Sequence, residues 1–414
     1  MSRAFYSLTL YLLLPWAMLH LVLRSRKQPA YLQHVGERFG VFPKGMPCRV
    51  IWIHAVSVGE TRAAEPIIKA LQARHPEHRI LLSHGTPTGR QTSLDLYGDR
   101  VERCYLPYDF GWASRRFLKR FRPLIGIFME TEIWPNLIRA SVVRDVPLYL
   151  VNARMSDKSA RGYRRIGGLT RTALSQLSCV GAQTQHDAQR LRDLGAGNVS
   201  VTGNIKFDRV APAEMLLLGT ALRNSFGVQR PVFLAASTRD GEETLILDAA
   251  AKADIPQLLT IVVPRHPQRF EDVVALVKQR GYKFQRRSEN RPIDADTDVV
   301  IGDSMGEMFA YYEACDVAFI GGSLVPLGGQ NLLEACAVGR AVVVGPHTFN
   351  FEEATRGAIE AGAAVRIGDA RELGSTIGLL LRDANRRNAM SEAGKRFTEA
   401  HRGATAKTLE LLRL

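Results

Sequence analysis

Glu60 is the first side chain placed to do chemistry. It closes the run Ile51-Trp52-Ile53-His54-Ala55-Val56-Ser57-Val58-Gly59, an apolar strand followed by a small-residue turn, and a helical pattern begins at Thr61. A carboxylate at a helix start meets the positive end of the helix dipole, which favours its ionised form. Facing a cleft, it can take a proton from a hydroxyl; with no cleft, it is an ordinary N-terminal helix charge. Both readings stand on this stretch alone. Glu130 and Glu132 straddle the end of a second apolar run, 124–129, beside Trp134 and Pro135. Two carboxylates at a strand's carboxyl end favour a site over a pair of helix caps. In the second half, Gly328-Gly329 would let a phosphate approach the backbone, and a helix from Asn331 would aim its amides there. Glu334 is near enough to accept hydrogen bonds from ribose hydroxyls, and Arg265 can neutralise phosphate.

These residues need strands to hold them. Apolar runs at 51–53, 79–83, 101–106, 124–129, 148–151, 179–182 and 199–202 alternate with helical stretches. After a connecting helix at 212–227 the rhythm restarts at 232–236, 258–263, 299–301, 317–320 and 341–344. Strands spaced by helices predict βαβ units and mainly parallel sheets. Two α/β halves in series follow, with a hinge between about 204 and 230. No G-x-G-x-x-G opens the first unit and no G-x-x-x-x-G-K-[ST] occurs, against a Rossmann dehydrogenase and a P-loop enzyme.

The chain of 414 residues has a net charge of +14, from 55 Lys+Arg against 41 Asp+Glu. That balance points to an anionic partner. No nucleic-acid module is visible, which leaves an acidic membrane surface or a phosphorylated substrate. The five cysteines are scattered without a C-x-x-C, which predicts a reducing compartment and no structural zinc. Residues 4–23 carry no charged side chain, and Arg24, Arg26 and Lys27 follow. The stretch is just long enough to cross a bilayer, with the basic end and all that follows on the cytoplasmic side. A single span and a helix lying in the interface both remain open. The basic amphipathic stretch 115–122, RRFLKRFR, is either a solvated helix or a contact with anionic lipid.

The motifs HAVSVGE (54–60), ETEIWPN (130–136), NARMSDKS (152–159), GNIKFD (203–208), PRHPQR (264–269), GDSMGEM (302–308) and GGSLVPLGGQNLLEA (321–335), in that order, resemble the 3-deoxy-D-manno-octulosonic acid (Kdo) transferases of Gram-negative bacteria. The resemblance spans nearly the whole chain. It implies an α/β GT-B glycosyltransferase, two Rossmann-like domains facing across a cleft, with an N-terminal membrane-anchor helix. The expected parts are an anchor at 1–27, an acceptor-binding domain at 28–210 and a CMP-sugar-binding domain at 211–414. It implies CMP-Kdo as donor and the tetraacylated disaccharide bisphosphate precursor of lipid A (lipid IVA) as acceptor, in lipopolysaccharide core biosynthesis at the cytoplasmic face of the inner membrane.

By motif match Glu60 is the base of an inverting transfer, and Glu130 and Lys206 assist the transition state. Arg265, His266, Gly306, Glu307, Met308, Asn331, Leu332, Leu333 and Glu334 match CMP-binding positions, the two leucines through backbone amides. CMP leaves with a single phosphate, so Arg, Lys and a helix dipole could suffice, and neither a metal nor another cofactor is expected. The rival readings are another GT-B enzyme, such as a nucleotide-sugar 2-epimerase, and a membrane-tethered nucleotide-binding protein without turnover.

Overall fold

The computed structural model describes the backbone of residues 1–414 and every side chain except that of Lys27. The chain forms two compact units, Met1–Asp208 with Arg402–Leu414, and Arg209–His401.

The first unit holds a seven-stranded sheet, all parallel: β1 (Ile51–His54), β2 (Ile80–His84), β3 (Glu102–Tyr105), β4 (Ile125–Met129), β5 (Leu148–Ala153), β6 (Cys179–Ala182) and β7 (Val199–Val201), in the order β3-β2-β1-β4-β5-β6-β7. The central strands are continuous apolar runs because both faces are covered by helices. Successive side chains point to opposite faces. Ile51 and Ile53 enter one core with Leu82, Ile127 and Val151, while Trp52 enters the other with Leu81, Phe117, Phe128 and Leu150. The chain leaves β1 towards one edge and returns at β4 to build the other half. The β1/β4 boundary is therefore the topological switch point, where ligands of open α/β sheets bind.

The second unit repeats the design with β8 (Val232–Thr238), β9 (Leu259–Pro264), β10 (Phe284–Arg286), β11 (Val299–Ile301), β12 (Val317–Ile320), β13 (Ala341–Val344) and β14 (Ala364–Arg366), in the order β10-β11-β9-β8-β12-β13-β14. Its switch point lies between β8 and β12, which are paired in parallel. The edge strands β10 and β14 were not expected from the sequence; each is three residues long and ends in an arginine.

Two features depart from the sequence reading. The connecting helix is present (Ala213–Phe226), but the last residues return to the first unit, where a cut at 210 would leave them in the second. There the helix Ala404–Leu411 buries Ala404 and Leu409 beside Ile205. Asp208 accepts the backbone N–H of Gly403 at 2.7 Å and that of Thr405. The stretch 152–159, which follows the apolar run expected to end at 151, begins in β5 and runs into the helix Asp157–Arg165.

The basic stretch at 115–122 lies on the helix Gly111–Phe121, which buries Phe117, Leu118 and Phe121 and turns Arg115, Arg116 and Lys119 outward. Its apolar face is core, so only charge is left to meet a partner. Residues Arg3–Lys27 form one helix, α1, long and apolar enough to cross a membrane by length and composition. Phe5, Leu8, Leu12, Trp16, Leu19 and Leu23 make an exposed stripe along it, each 47–73% accessible. Near its start, Tyr6, Ser7 and Tyr11 contact Asp109, Asn136 and Phe110 of the first unit.

Candidate active site

At the first switch point, Ser57 caps the helix Val58–Ala63 by accepting the N–H of Glu60. The Glu60 carboxylate turns back to accept from Ser57 Oγ at 2.8 Å and from Val56 N–H at 2.9 Å. This is a variant of the capping box, in which the carboxylate takes the amide before the N-cap and the N-cap hydroxyl, so the helix-charge reading of Glu60 is satisfied in full. Its setting goes further than a cap requires. The side chain is only 8% exposed, and burial, then the charge of Glu130, push its carboxyl up to about 7; the bonds from Val56 and Ser57 and the charge of Lys206 oppose the rise. A carboxyl that titrates near neutrality is matched to proton transfer.

Glu130 follows β4, the neighbour of β1, at φ +59°. Left-handed backbone costs a non-glycine residue about 1 kcal/mol or more and persists where the surroundings fix it. Asn152, in β5, and Ser237, in β8, share the conformation, so three such residues lie at or near the carboxyl ends of strands. Glu130 Oε1 accepts from Lys206 Nζ at 3.0 Å. Lys206 follows edge strand β7, yet reaches Glu130 because the turn Ile205–Asp208 folds back over the sheet: buried Asn152 Oδ1 accepts the N–H of Ile205, and Asn204 Oδ1 that of Lys206.

Glu132 stands beside this group and accepts from Trp134 Nε1 at 2.7 Å. Burial, then the charge of Glu60, raise its carboxyl to about 7. His54 Nε2 lies 3.9 Å from Glu132 Oε2. The other ring nitrogen, Nδ1, sits 3.1 Å from the carbonyl of Ser83, an acceptor only, so Nδ1 carries the proton. Burial pushes this imidazole down to about 4, and it stays neutral at pH 7. The site therefore sets three carboxyl groups against one ammonium, and two of the three titrate near neutrality.

In the second unit the expected nucleotide residues all lie in loops at the carboxyl edge of the sheet or in the helix starts that follow. Arg265 Nε donates to Gln330 Oε1 at 3.2 Å, joining the loop after β9 to the loop after β12. His266 is exposed; partial burial first, then the charges of Arg239, Arg265 and Arg269, lower its pKa, so the neighbourhood favours an anion. Gly306 has φ +86°, which a residue with a Cβ rarely adopts, and delivers the chain to Glu307 and Met308 at the start of the helix Met308–Ala314. Glu307 is held by Ser304 Oγ at 2.6 Å and by Arg287 at 3.1 Å.

The helix expected from Asn331 begins at Leu333 and is six residues long. Asn331 Oδ1 takes the N–H of Leu333, and its Nδ2 faces Glu334 at 3.3 Å. Leu332 and Leu333 are buried, and Glu334 is ion-paired with Arg209, whose guanidinium also lies over the Phe309 ring.

Sequence reasoning missed the residues that shape these loops. Buried Glu242 accepts the N–H groups of Gly322 (2.5 Å), Leu324 (2.9 Å) and Arg239 (3.0 Å). Asn152 and Asp109 work in the same way in the first unit. Their partners are distant in sequence and leave no local signal, whereas Ser57-x-x-Glu60 is a pattern that could have been read as a capping box.

The family description "3-Deoxy-D-manno-octulosonic-acid transferase (kdotransferase)" fits residues 33–209, and "Glycosyl transferases group 1" fits residues 245–397. The 3-deoxy-D-manno-octulosonic acid transferase of Bordetella pertussis is 43% identical across all of this chain and 99% of its own length. That of Haemophilus influenzae is 38% identical across all of this chain and 98% of its own. Among solved structures, Anabaena HepE with UDP-glucose (15% identity, 87% of this chain and 97% of that one, TM-score 0.55) shares the fold. So does UDP-GlcNAc 2-epimerase of Neisseria meningitidis (13%, 87% and 99%, TM-score 0.56). Likeness at that identity speaks for the fold alone. Two parallel Rossmann-like sheets, the two transferase family descriptions and full-length relatives at 38–43% identity lead to one conclusion: the chain is a GT-B glycosyltransferase and belongs to the 3-deoxy-D-manno-octulosonic acid transferase family.

Proposed function

We propose that the enzyme moves Kdo from CMP-Kdo to the tetraacylated disaccharide bisphosphate precursor of lipid A, inverting the anomeric carbon. The observation that carries this reading is Glu60 and Glu130 at the ends of adjacent strands, with Lys206 folded back onto Glu130. In its ionised form Glu60 takes the proton of the acceptor hydroxyl. The hydroxyl oxygen bonds to the anomeric carbon, and the bond from that carbon to the CMP phosphate oxygen breaks, its electron pair leaving with CMP. Glu130 steadies positive charge building on the ring, and Lys206 pairs with the Kdo carboxylate or the departing phosphate.

CMP is held in the second unit by Arg265, His266, Gly306, Glu307, Met308, Asn331, Leu332, Leu333 and Glu334. The three arginines about His266 suit the phosphate, and Glu334 suits the ribose hydroxyls.

The exposed stripe of α1 and the basic residues after it support attachment to the cytoplasmic face of an anionic inner membrane. Tyr6, Ser7 and Tyr11 tie the start of α1 to the first unit, while at its end Arg24 lies over Tyr31 of the turn Pro29–Leu32 that follows. A helix whose first turns are seated on the unit into which its far end leads favours lying in the interface over spanning. Incubating the purified protein with CMP-Kdo and the lipid acceptor, then weighing the product lipid by mass spectrometry, tests the reading and counts the residues added. A lipid heavier by whole Kdo residues supports it; unchanged lipid with CMP bound would leave a binding protein without turnover.

A further inference from the structure

The catalytic loop and the anchor helix meet at Asp109, a residue no part of the mechanism uses. Asp109 is buried at the start of the helix Gly111–Phe121. Its two carboxylate oxygens accept the N–H of Asn136 at 3.0 Å and the N–H of Leu137 at 2.8 Å. These are orphan amides of the helix Pro135–Val142, whose own N-cap residue, Trp134, supplies no side-chain cap. The Asp109 backbone carbonyl accepts from Asn136 Nδ2 at 2.7 Å. A carboxylate 26 residues upstream of Pro135 thus supplies the missing cap and fixes where the segment 130–136 ends.

Two side chains from α1 complete the cluster. Tyr6 donates its hydroxyl to Asp109 Oδ2 at 3.1 Å. Ser7 Oγ lies 3.0 Å from Asn136 Nδ2 and 3.2 Å from Asn136 Oδ1. The clamped segment begins with Glu130, carries Glu132 and includes Trp134, whose indole holds the Glu132 carboxylate. Five residues separate Lys206's partner from the clamped amide of Asn136. A loop this short transmits a shift at one end to the other.

Burial drives the Asp109 carboxyl up to about 7, and the bonds from Asn136, Leu137 and Tyr6, with the charge of Arg3, oppose the rise. Loss of the Tyr6 hydroxyl removes one of these restraints. The carboxylate that clamps the loop then becomes easier to protonate and a weaker acceptor.

We propose that the start of α1 is a positioning part of the active site: Tyr6 and Ser7, through Asp109 and Asn136, set the loop that presents Glu130 and Glu132. Membrane attachment and catalysis then share one element, and disturbing the seat of α1 slows transfer with no change to any catalytic residue. The inference rests on the proposed roles of Glu130 and its loop in transfer.

The test is a full-length Tyr6→Phe/Ser7→Ala variant beside Ser7→Thr, which keeps the hydroxyl. Amide hydrogen exchange of 130–137 is read together with steady-state kinetics on detergent-dispersed acceptor and co-sedimentation with anionic vesicles. In the double variant the amides of Asn136 and Leu137 should exchange about tenfold faster, as expected when a buried hydrogen bond is lost. The kcat should fall roughly fivefold or more, with donor KM and vesicle binding unchanged, the signature of a group that acts on the transition state. Ser7→Thr should behave as wild type. Unchanged exchange, or faster exchange with unchanged kcat, would overturn the proposal. So would a loss confined to vesicle binding, which would make the contact an anchor seat only. If the wild-type chain transfers no Kdo, the functional reading fails, and the exchange experiment still decides whether the latch exists.

Discussion

Glu60 as base makes a prediction about pH whose sign can be worked out. Burial and Glu130 bring its carboxyl from an ordinary 4.5 to about 7, which corresponds to on the order of 3 kcal/mol against the ionised form. Only the carboxylate accepts a proton, so kcat should be full above pH 8 and fall about tenfold per unit below 7. About one-tenth of the sites are competent at pH 6 and about one-hundredth at pH 5.

The two neighbouring charges act in opposite senses. Glu130→Gln removes a charge that raises the Glu60 pKa, so the acid limb should move to lower pH. Lys206→Met removes a charge that lowers it, so the limb should move up. Glu130 and Lys206 are 28% and 22% exposed, and water screens both, which limits each movement to about half to one pH unit. Steady-state kcat from pH 5 to 9 on detergent-dispersed acceptor reads this out, and the position of the limb matters more than its height. A wild-type limb near 4.5, or both variants moving it the same way, would refute the reasoning.

Lys206→Ala should lower kcat and kcat/KM together, and Lys206→Arg should rescue poorly, because a planar guanidinium does not replace a compact ammonium against Glu130; steady-state kinetics with CMP-Kdo decides this. Glu242→Ala leaves the amides of Gly322, Leu324 and Arg239 without their acceptor. It should cost about 3 kcal/mol, lowering the Tm of the second unit by roughly 6–12 °C and raising donor KM, by calorimetry and kinetics. Leu12→Ser with Trp16→Ser should weaken binding to anionic vesicles about a thousandfold, since each side chain gives up on the order of 2 kcal/mol of apolar burial, with the far-UV spectrum unchanged. Loss of the spectrum would place the stripe in the protein's own core.

The strands that lead into the candidate site were legible because a parallel strand covered on both faces is a continuous apolar run, as in Ile51–His54 and Ile125–Met129. The edges were not. Phe284–Arg286 and Ala364–Arg366 pair on one side only and end in charge, so their composition does not distinguish them from loop. The return of the tail to the first unit rests on Asp208 reaching Gly403 and Thr405 across almost 200 residues, which no window of sequence can show.

The candidate site divides in the same way. Glu60 and the carboxylates at 130 and 132 stand out by type and position. The devices that aim them, Asn152 on Ile205 and Asp109 on Asn136 and Leu137, are long-range caps visible only in three dimensions. Electrostatics was the least legible layer: nothing local in the sequence shows that burial brings Glu60 and Glu132 both to about 7 or that His54 stays neutral beside Glu132.

The most direct test of the central claim is a single-turnover transfer by wild type and Glu60→Gln, with enzyme in excess over CMP-Kdo so that all the donor is bound, and lipid acceptor added in excess. The amide keeps the size of the side chain and can still accept from Val56 N–H or Ser57 Oγ, but it cannot take a proton. Wild type should transfer the bound Kdo in one phase. The variant should bind the donor equally well and convert it roughly 10²–10⁴ times more slowly, the range expected for loss of a general base. Transfer by the variant at the wild-type rate would contradict the account.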